Sequence, residues 1–146
     1  MPRFFTIIEA EALLPEVEKE LRNVISLKRE HEDAEVELNR ISQKIHLSGG
    51  MMPPRNKIIS LKNRKHAAAE GLKQSIDQIH ATGCQLKDVE MGLLDFPTLY
   101  HGKEVYLCWH LGESGISFWH HVEDGYRGRR PIDSEFLSNH RGDASH

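Results

Sequence analysis

The chain has 146 residues and a formal net charge of −3, with 38% hydrophobic and 28% charged residues. This length suits one globular domain that buries about two-thirds of its unfolded surface. No apolar run approaches the ~20 residues of a membrane helix, and the negative balance disfavours a dedicated nucleic-acid binder.

The sequence favours a cytoplasmic location. Its first twenty residues are acidic, whereas a signal peptide begins basic and then becomes apolar. The two cysteines, Cys84 and Cys108, are too few for a disulfide framework. We therefore expect both thiols to be reduced, as is usual in the cytosol.

The N-terminal part of the chain predicts a long helix that begins near Glu9. Thr6 and Glu9 have the spacing of a capping box, in which each side chain accepts a hydrogen bond from the other residue's backbone. Gly49 or Gly50 can adopt the left-handed conformation that ends a helix. Between these ends, seam residues alternate at steps of three and four, as in a coiled coil: Val24, Leu27, His31, Ala34, Leu38, Ile41 and Ile45.

A second helix is predicted after the Met51–Pro54 loop, because the same period resumes at Ile58 and continues to Ile79. Two long helices joined by a short Gly/Pro loop fold back as an antiparallel hairpin, here over about 9–82. The hairpin brings an acidic block of the first helix, 32–37, near a basic block of the second, 55–65. Exposed ion pairs of this kind set the register more than they stabilise the fold.

Beyond the hairpin, from about 84 to 132, the spacing of hydrophobic residues changes from the helical period of about 3.6 towards the strand period of 2. Glu104–Trp109 is the clearest strand, since it is rich in β-branched and aromatic residues. Turns are predicted at His101–Lys103 and at Ser114–Gly115. Three or four short antiparallel strands therefore follow the helices.

Together these patterns predict an α+β fold, with a long antiparallel helical hairpin followed by a small antiparallel β-sheet. We expect a single domain over 1–138. The last residues, 139–146, are small and polar and are predicted to be a flexible tail.

The central strand has two unlike faces, and the second face is the candidate site. Its apolar triplet is the natural face for the hairpin to cover: Val105, Leu107 and Trp109. We expect Cys108 and His110 on the more open face, with His120 or His121 across the strand. With nearby carboxylates, these are the ligand types of zinc or a similar divalent metal.

Other interpretations of the same residues stay open. The spacing matches no named metal motif, and a free cysteine is more often a small buried hydrophobic residue. Glu113 and His120 can form an acid/base pair, or can simply satisfy each other's hydrogen bonds beside the tryptophan rings. An arginine cluster could hold an anion: Arg127, Arg129 and Arg130.

Many of these residues lie in motifs that resemble a small prokaryotic family, catalogued as domain of unknown function 2203. The matching motifs extend from Phe4 to about Ile132: Phe5-Thr6, Glu9-Ala10, Leu13-Leu14-Pro15, Lys87-Asp88, Gly92-Leu93-Leu94-Asp95-Phe96, Leu107-Cys108-Trp109, Gly112-Glu113, Trp119-His120, Gly125-Tyr126 and Gly128-Arg129. The resemblance implies a helical hairpin with a small sheet and brings no established activity.

The resemblance also narrows the candidate residues. His110 and Arg130 depart from the family's usual arginine and glutamine, which weakens His110 as a ligand. The predicted metal ligands are therefore Cys108, Glu113 and His120. The residues predicted to contact a small ligand are Asp95, Trp109, Trp119 and Arg129.

Two classes of function follow from the sequence. The first is a small interaction or accessory module, in which the seam, interrupted by His31 and Lys65, binds a protein partner or a second copy of the chain. The alternative is a metal- or small-ligand-binding protein, with or without enzymatic activity, whose site lies on the C-terminal β-hairpin. RNA association through the basic second helix is a third and weaker hypothesis.

Overall fold

The fold is described from a computed structural model over residues 3–49 and 52–143. Three α-helices and one short 3-10 helix, Tyr126–Gly128, occur in this part of the chain. The α-helices are α1 (Ile7–Leu47), α2 (Arg55–Ala81) and α3 (Ser134–Asn139). None of the described helices is both long and apolar enough to cross a membrane.

Within the described residues, six strands follow α2 and form one antiparallel sheet. They are β1 (Gln85–Asp88), β2 (Leu93–Tyr100), β3 (Lys103–His110), β4 (Phe118–His121), β5 (Arg130–Pro131) and β6 (His140–Arg141). The strands lie side by side in the order β1 to β5, and β6 pairs with the far end of β2. The predicted α+β class is confirmed, with two long helices followed by a small antiparallel sheet.

The capping box at the start of α1 is confirmed. Glu9 Oε1 accepts a hydrogen bond from the backbone N–H of Thr6 at 2.9 Å, and Thr6 Oγ1 accepts one from Glu9 at 3.1 Å. These bonds satisfy two N–H groups that a helix N-terminus leaves without partners. At the other end Gly49 has a φ of 68°, the left-handed conformation predicted there, while Gly50 lies outside the described residues.

The contacts divide the chain into two compact units, one of which is Arg22–Ser75. Within it the two helices pack through the predicted seam. A small core consists of Ala34, Ile41 and Leu61, with Leu38, Ile45 and Ile58 packed against it. At one end of this unit, Asn23 Nδ2 donates a hydrogen bond to Ser75 Oγ at 2.7 Å.

Ion pairs connect the acidic and basic blocks of this unit, as predicted. Lys57 Nζ lies 3.3 Å from Glu37 Oε1, and Lys65 Nζ lies 3.7 Å from Glu35 Oε2. Residues with higher numbers on α2 pair with residues that have lower numbers on α1, so the two helices are antiparallel. These side chains are largely exposed, so each pair contributes about 0.5 kcal/mol.

The other unit comprises the chain up to Leu21 and from Ile76 onward, and it contains the whole sheet. One face of the sheet forms its core. Phe96 and Trp109 are fully buried there, and the ring of Phe5 meets the ring of Phe96 edge-on at 5.4 Å. Phe136 of α3 stacks on Trp119 of β4 at 5.0 Å. The predicted apolar triplet of β3 lies on this buried face.

The C-terminal segment differs from the predicted flexible tail. Its described part, to Asp143, contains β6, and the backbone N–H of Asp143 donates to Phe4 O at 3.1 Å. Phe136 stacks on His140 at 5.3 Å, which fixes the segment beside the core. Short polar sequence patterns do not reveal such pairing, because it depends on a distant strand. A single domain over 1–138 stays a prediction.

Candidate functional site

Three chemically active side chains meet on the second face of the sheet. Asp95 lies on β2, Cys108 on β3 and His120 on β4. Asp95 and Cys108 are direct cross-strand partners, and His120 pairs with Tyr106, one step along the same face. The three residues are therefore brought together by strand register.

A tight turn sets that register. His101 and Gly102 connect β2 to β3 with φ values of 51° and 78°. Two central residues with positive φ are typical of the two-residue hairpin turn that matches the twist of the strands. Because a slip of one residue would turn every side chain to the opposite face, this turn places Asp95 opposite Cys108. The turn predicted at these positions is confirmed.

The three side chains are both close and buried. One ligand atom from each lies within 4.8 Å of the others: an Asp95 carboxylate oxygen, Cys108 Sγ and a His120 ring nitrogen. Their residues are 3%, 1% and 2% exposed. A buried carboxylate requires a charged or hydrogen-bonding partner to offset the loss of hydration.

The hydrogen bonds of His120 fix its tautomer. Nδ1 lies 2.8 Å from the carbonyl oxygen of His121, so this nitrogen carries the hydrogen. Nε2 lies 3.2 and 3.1 Å from the two carboxylate oxygens of Asp95. In a neutral imidazole Nε2 would then direct a lone pair at two acceptors. A cation, either a proton or a metal ion, is therefore needed at Nε2.

Without a metal ion, that cation is a proton. Burial lowers the pKa of His120, but the hydrogen bond to Asp95, the His121 carbonyl and the Asp95 charge outweigh it, so the pKa is raised overall. The ammonium of Lys87 opposes this rise. The raised pKa favours the protonated form of His120 beside the Asp95 carboxyl group.

This pair gives a pH dependence whose sign can be stated. Since the folded pKa of His120 exceeds the unfolded value of about 6.5, its contribution is fully present below that pH. It is lost as the pH rises through the folded pKa. We expect the difference in unfolding free energy between the wild type and His120→Gln to shrink as the pH rises above about 6.5. Urea denaturation in chelator measures it, and a difference that grows with pH would contradict the assignment.

The Cys108 thiol is protonated in the metal-free site. Burial and the negative charge of Asp95 raise its pKa to about 12, although the nearby Arg129 guanidinium acts in the opposite direction. Cys108 was expected on the more open face, and that expectation is wrong. The loop after β4 covers this face, and its Tyr126 ring stacks on His110 with centroids 5.8 Å apart.

A small cavity of about 110 Å³ adjoins the three side chains. Its wall is largely apolar and aromatic, with contributions from Leu93, Tyr106, Val122 and Tyr126. Lys87 also lines the cavity, and its ammonium lies 4.6 Å from the centroid of the Tyr106 ring. The sheet and the covering loop thus leave space beside Asp95, Cys108 and His120.

Glu113 and Arg129 form a separate ion pair. Arg129 Nη2 donates to Glu113 Oε2, and the backbone N–H of His110 donates to Glu113 Oε1 at 2.7 Å. The Arg129 guanidinium also lies 3.9 Å from the ring centroid of Phe118 and 4.7 Å from that of Tyr126. Glu113 is therefore committed to the turn after β3 and to Arg129, which supports the cavity wall at Tyr126.

A family model described as an uncharacterised conserved protein, DUF2203, matches residues 3–132. The chain belongs to the DUF2203 family. This match confirms the family resemblance that the sequence motifs indicated. No curated protein and no solved structure matches the chain significantly.

In this DUF2203 chain the remaining predicted ligand-contacting residues lie in different places. Trp109 and Trp119 occupy the core face of the sheet, opposite the cavity, and Trp109 Nε1 donates to the carbonyl of Glu113 at 3.0 Å. Asp95 lies at the cavity, beside Cys108 and His120. The structure thus groups Asp95 with Cys108 and His120, and groups Glu113 with Arg129.

Sequence reasoning missed Lys87 and Tyr126 as cavity residues. Lys87 lies at a bulge in the pairing of β1 with β2, between Leu86 and Asp88, which a local pattern does not reveal. Tyr126 lies in a 3-10 helix after Gly125, whose φ of 66° permits the sharp turn over the sheet. In the sequence, only the Gly125-Tyr126 pair indicated a turn at this position.

Proposed function

We propose that this chain is a metal-binding protein that holds one zinc ion between Asp95, Cys108 and His120. The observation that carries the proposal is the hydrogen bonding of His120. Its Nδ1–H is used by a backbone carbonyl, the arrangement by which proteins commonly orient a metal-ligating histidine. Its Nε2 therefore faces the carboxylate of Asp95 where a cation is needed.

The spacing of the donor atoms supports this proposal. Two ligands about 2.0 Å from a tetrahedral zinc ion lie roughly 3.3 Å apart. The separations of 3.1 and 3.2 Å between His120 Nε2 and the Asp95 oxygens are close to that value. Because a Zn–S bond is longer, at about 2.3 Å, Cys108 Sγ should lie slightly farther from the other two ligand atoms. The three atoms now lie within 4.8 Å of one another, so a movement of the side chains by about 1 Å would bring them to bonding positions.

The chemistry of the three ligands favours zinc over the hard cations. Mg²⁺ and Ca²⁺ prefer oxygen ligands, whereas thiolate and imidazole suit zinc and neighbouring transition metals. Binding would displace the protons of the Cys108 thiol and the His120 imidazolium, so affinity should rise with pH. Zinc affinity therefore rises with pH, whereas the stability that the His120–Asp95 pair contributes to the metal-free protein falls with pH.

A site with three protein ligands and an adjoining cavity supports an exchangeable fourth position. Structural zinc sites are closed by four protein ligands, while sites that act on small molecules keep one position for water or substrate. The cavity beside Cys108 and His120 has room for such a group. Zinc there would lower the pKa of a bound water, which is the property that metal-dependent hydrolases use.

The proposal is tested by zinc content. Apo-protein reloaded with zinc and dialysed is expected to retain one ion per chain in elemental analysis. Glu113→Ala should retain the same ion, because its carboxylate is held by Arg129 and His110. It should be less stable by about 1–3 kcal/mol in urea denaturation, since it leaves Arg129 partly buried without its partner. No retained zinc in the wild type would contradict the proposal, and loss only in Glu113→Ala would return Glu113 to the ligand set.

An interaction module built on the helical hairpin receives less support. The seam that suggested a partner is used within the chain, where Ala34, Ile41 and Leu61 are buried against one another. The basic residues of α2 that suggested RNA are also engaged, since Lys57 and Arg64 pair with acidic residues of α1. A homodimer or another protein partner stays a prediction.

A further inference from the structure

We propose that the fourth position of the zinc site binds a short-chain monocarboxylate, with Lys87 helping to hold the carboxylate. This inference rests on the proposed zinc site. It names the class of ligand that the cavity would accept, from the charge and the shape of its lining.

The charges favour a single negative charge on the ligand. A divalent zinc ion is neutralised by the carboxylate of Asp95 and the thiolate of Cys108, while His120 binds as a neutral group. The ammonium of Lys87 adds one positive charge at the same cavity, near enough to act on His120. A monoanion would balance the site, whereas a dianion such as phosphate would leave it negative.

The position of Lys87 suits a group at the cavity edge. Lys87 lies on the exposed side of β1, while its ammonium is held over the ring of Tyr106. Tyr106 is itself the cross-strand partner of His120. Lys87 is therefore placed to donate to one carboxylate oxygen while the other binds the ion, as Lys commonly does for anions.

The wall of the cavity favours an apolar body behind the carboxylate. Leu93, Val122 and the ring of Tyr126 surround the space beside the three ligands. The volume of about 110 Å³ is smaller than the ~150 Å³ that accommodates benzene. A carboxylate with one or two further carbons, such as acetate or propionate, fits these limits.

Cobalt(II) replacement gives a test with a readout at the metal. The cobalt-loaded full chain is titrated with propionate, acetate and inorganic phosphate while its visible absorption is recorded. We expect saturable spectral changes with the two carboxylates and a weaker response to phosphate. Lys87→Met should weaken propionate binding by roughly fivefold, as for loss of one partly exposed charge pair. Lys103→Met is the matched control, because Lys103 is exposed and lies near Glu123 instead, and it should leave the titration unchanged.

The outcomes separate this inference from the zinc site. If cobalt binds but no carboxylate changes its spectrum, the ligand inference is overturned and the metal site stands. A stronger response to phosphate than to propionate, or equal binding by Lys87→Met and the wild type, also overturns it. If cobalt does not bind at all, both proposals fail.

Discussion

Replacing Cys108 by alanine is expected to lower zinc affinity by at least about a hundredfold. Cys108 supplies the only thiolate of the proposed ligand set, and loss even of an outer hydrogen-bonding partner of a metal ligand costs 10–100-fold. The remaining carboxylate and imidazole, from Asp95 and His120, would form a two-ligand site that favours no particular metal. Competition with a chromophoric chelator measures the affinity.

Cys84→Ala is the matched control for this substitution. Cys84 is as deeply buried as Cys108, and burial together with the charge of Asp95 raises the pKa of its thiol as well. It nevertheless lies outside the group of potential ligands formed by Asp95, Cys108 and His120. We expect Cys84→Ala to bind zinc as the wild type does. Equal loss in both variants would show that the effect comes from the fold and not from a ligand.

The second large effect is expected in the metal-free protein. Asp95→Ala removes the carboxylate that faces His120 and should lower the free energy of unfolding by about 3–5 kcal/mol near pH 6. The cost arises because a buried imidazolium is left without its counter-charge, or must lose its proton. Urea denaturation in the presence of a chelator measures this change.

A double-mutant cycle separates the pair from the packing around it. Once His120 is replaced by alanine, removal of Asp95 no longer strands a charge. The Asp95→Ala, His120→Ala double variant should therefore lose less stability than the sum of the two single variants. Asp88→Ala is a useful control, because the Asp88 side chain accepts a turn hydrogen bond from the backbone N–H of Met91, and its loss should cost about 1 kcal/mol. Strict additivity between Asp95 and His120 would contradict the proposed pairing.

The helices were predictable because their signals are local. The capping box at Thr6 and Glu9 and the left-handed glycine at Gly49 depend on neighbours within one turn. The ion pairs between α1 and α2 could also be predicted, since the short loop leaves one way to fold the charged blocks together.

The site was only partly predictable because it depends on pairing between distant strands. Alternation placed Cys108 on one face, and Asp95 was predicted only as a residue that contacts a small ligand. The sequence does not show that the register puts Asp95 opposite Cys108, with His120 one step along. Glu113 was a reasonable predicted ligand by proximity, but a hairpin turn directs it to Arg129.

The covering loop was the least predictable part. The 3-10 helix at Tyr126–Gly128 is too short for a periodic signal, yet it converts an open sheet face into a buried one. That burial raises the pKa of the Cys108 thiol and leaves the cavity beside His120. Both properties follow from tertiary packing and not from the spacing of residues in the sequence.

X-ray absorption spectroscopy of the zinc-loaded chain tests the proposed site most directly. We expect one sulfur ligand at about 2.3 Å and nitrogen or oxygen ligands at about 2.0–2.1 Å. The sulfur signal should disappear in Cys108→Ala and persist in Cys84→Ala. A wild-type spectrum without sulfur, or one with two sulfur ligands, would contradict a zinc ion held by Asp95, Cys108 and His120.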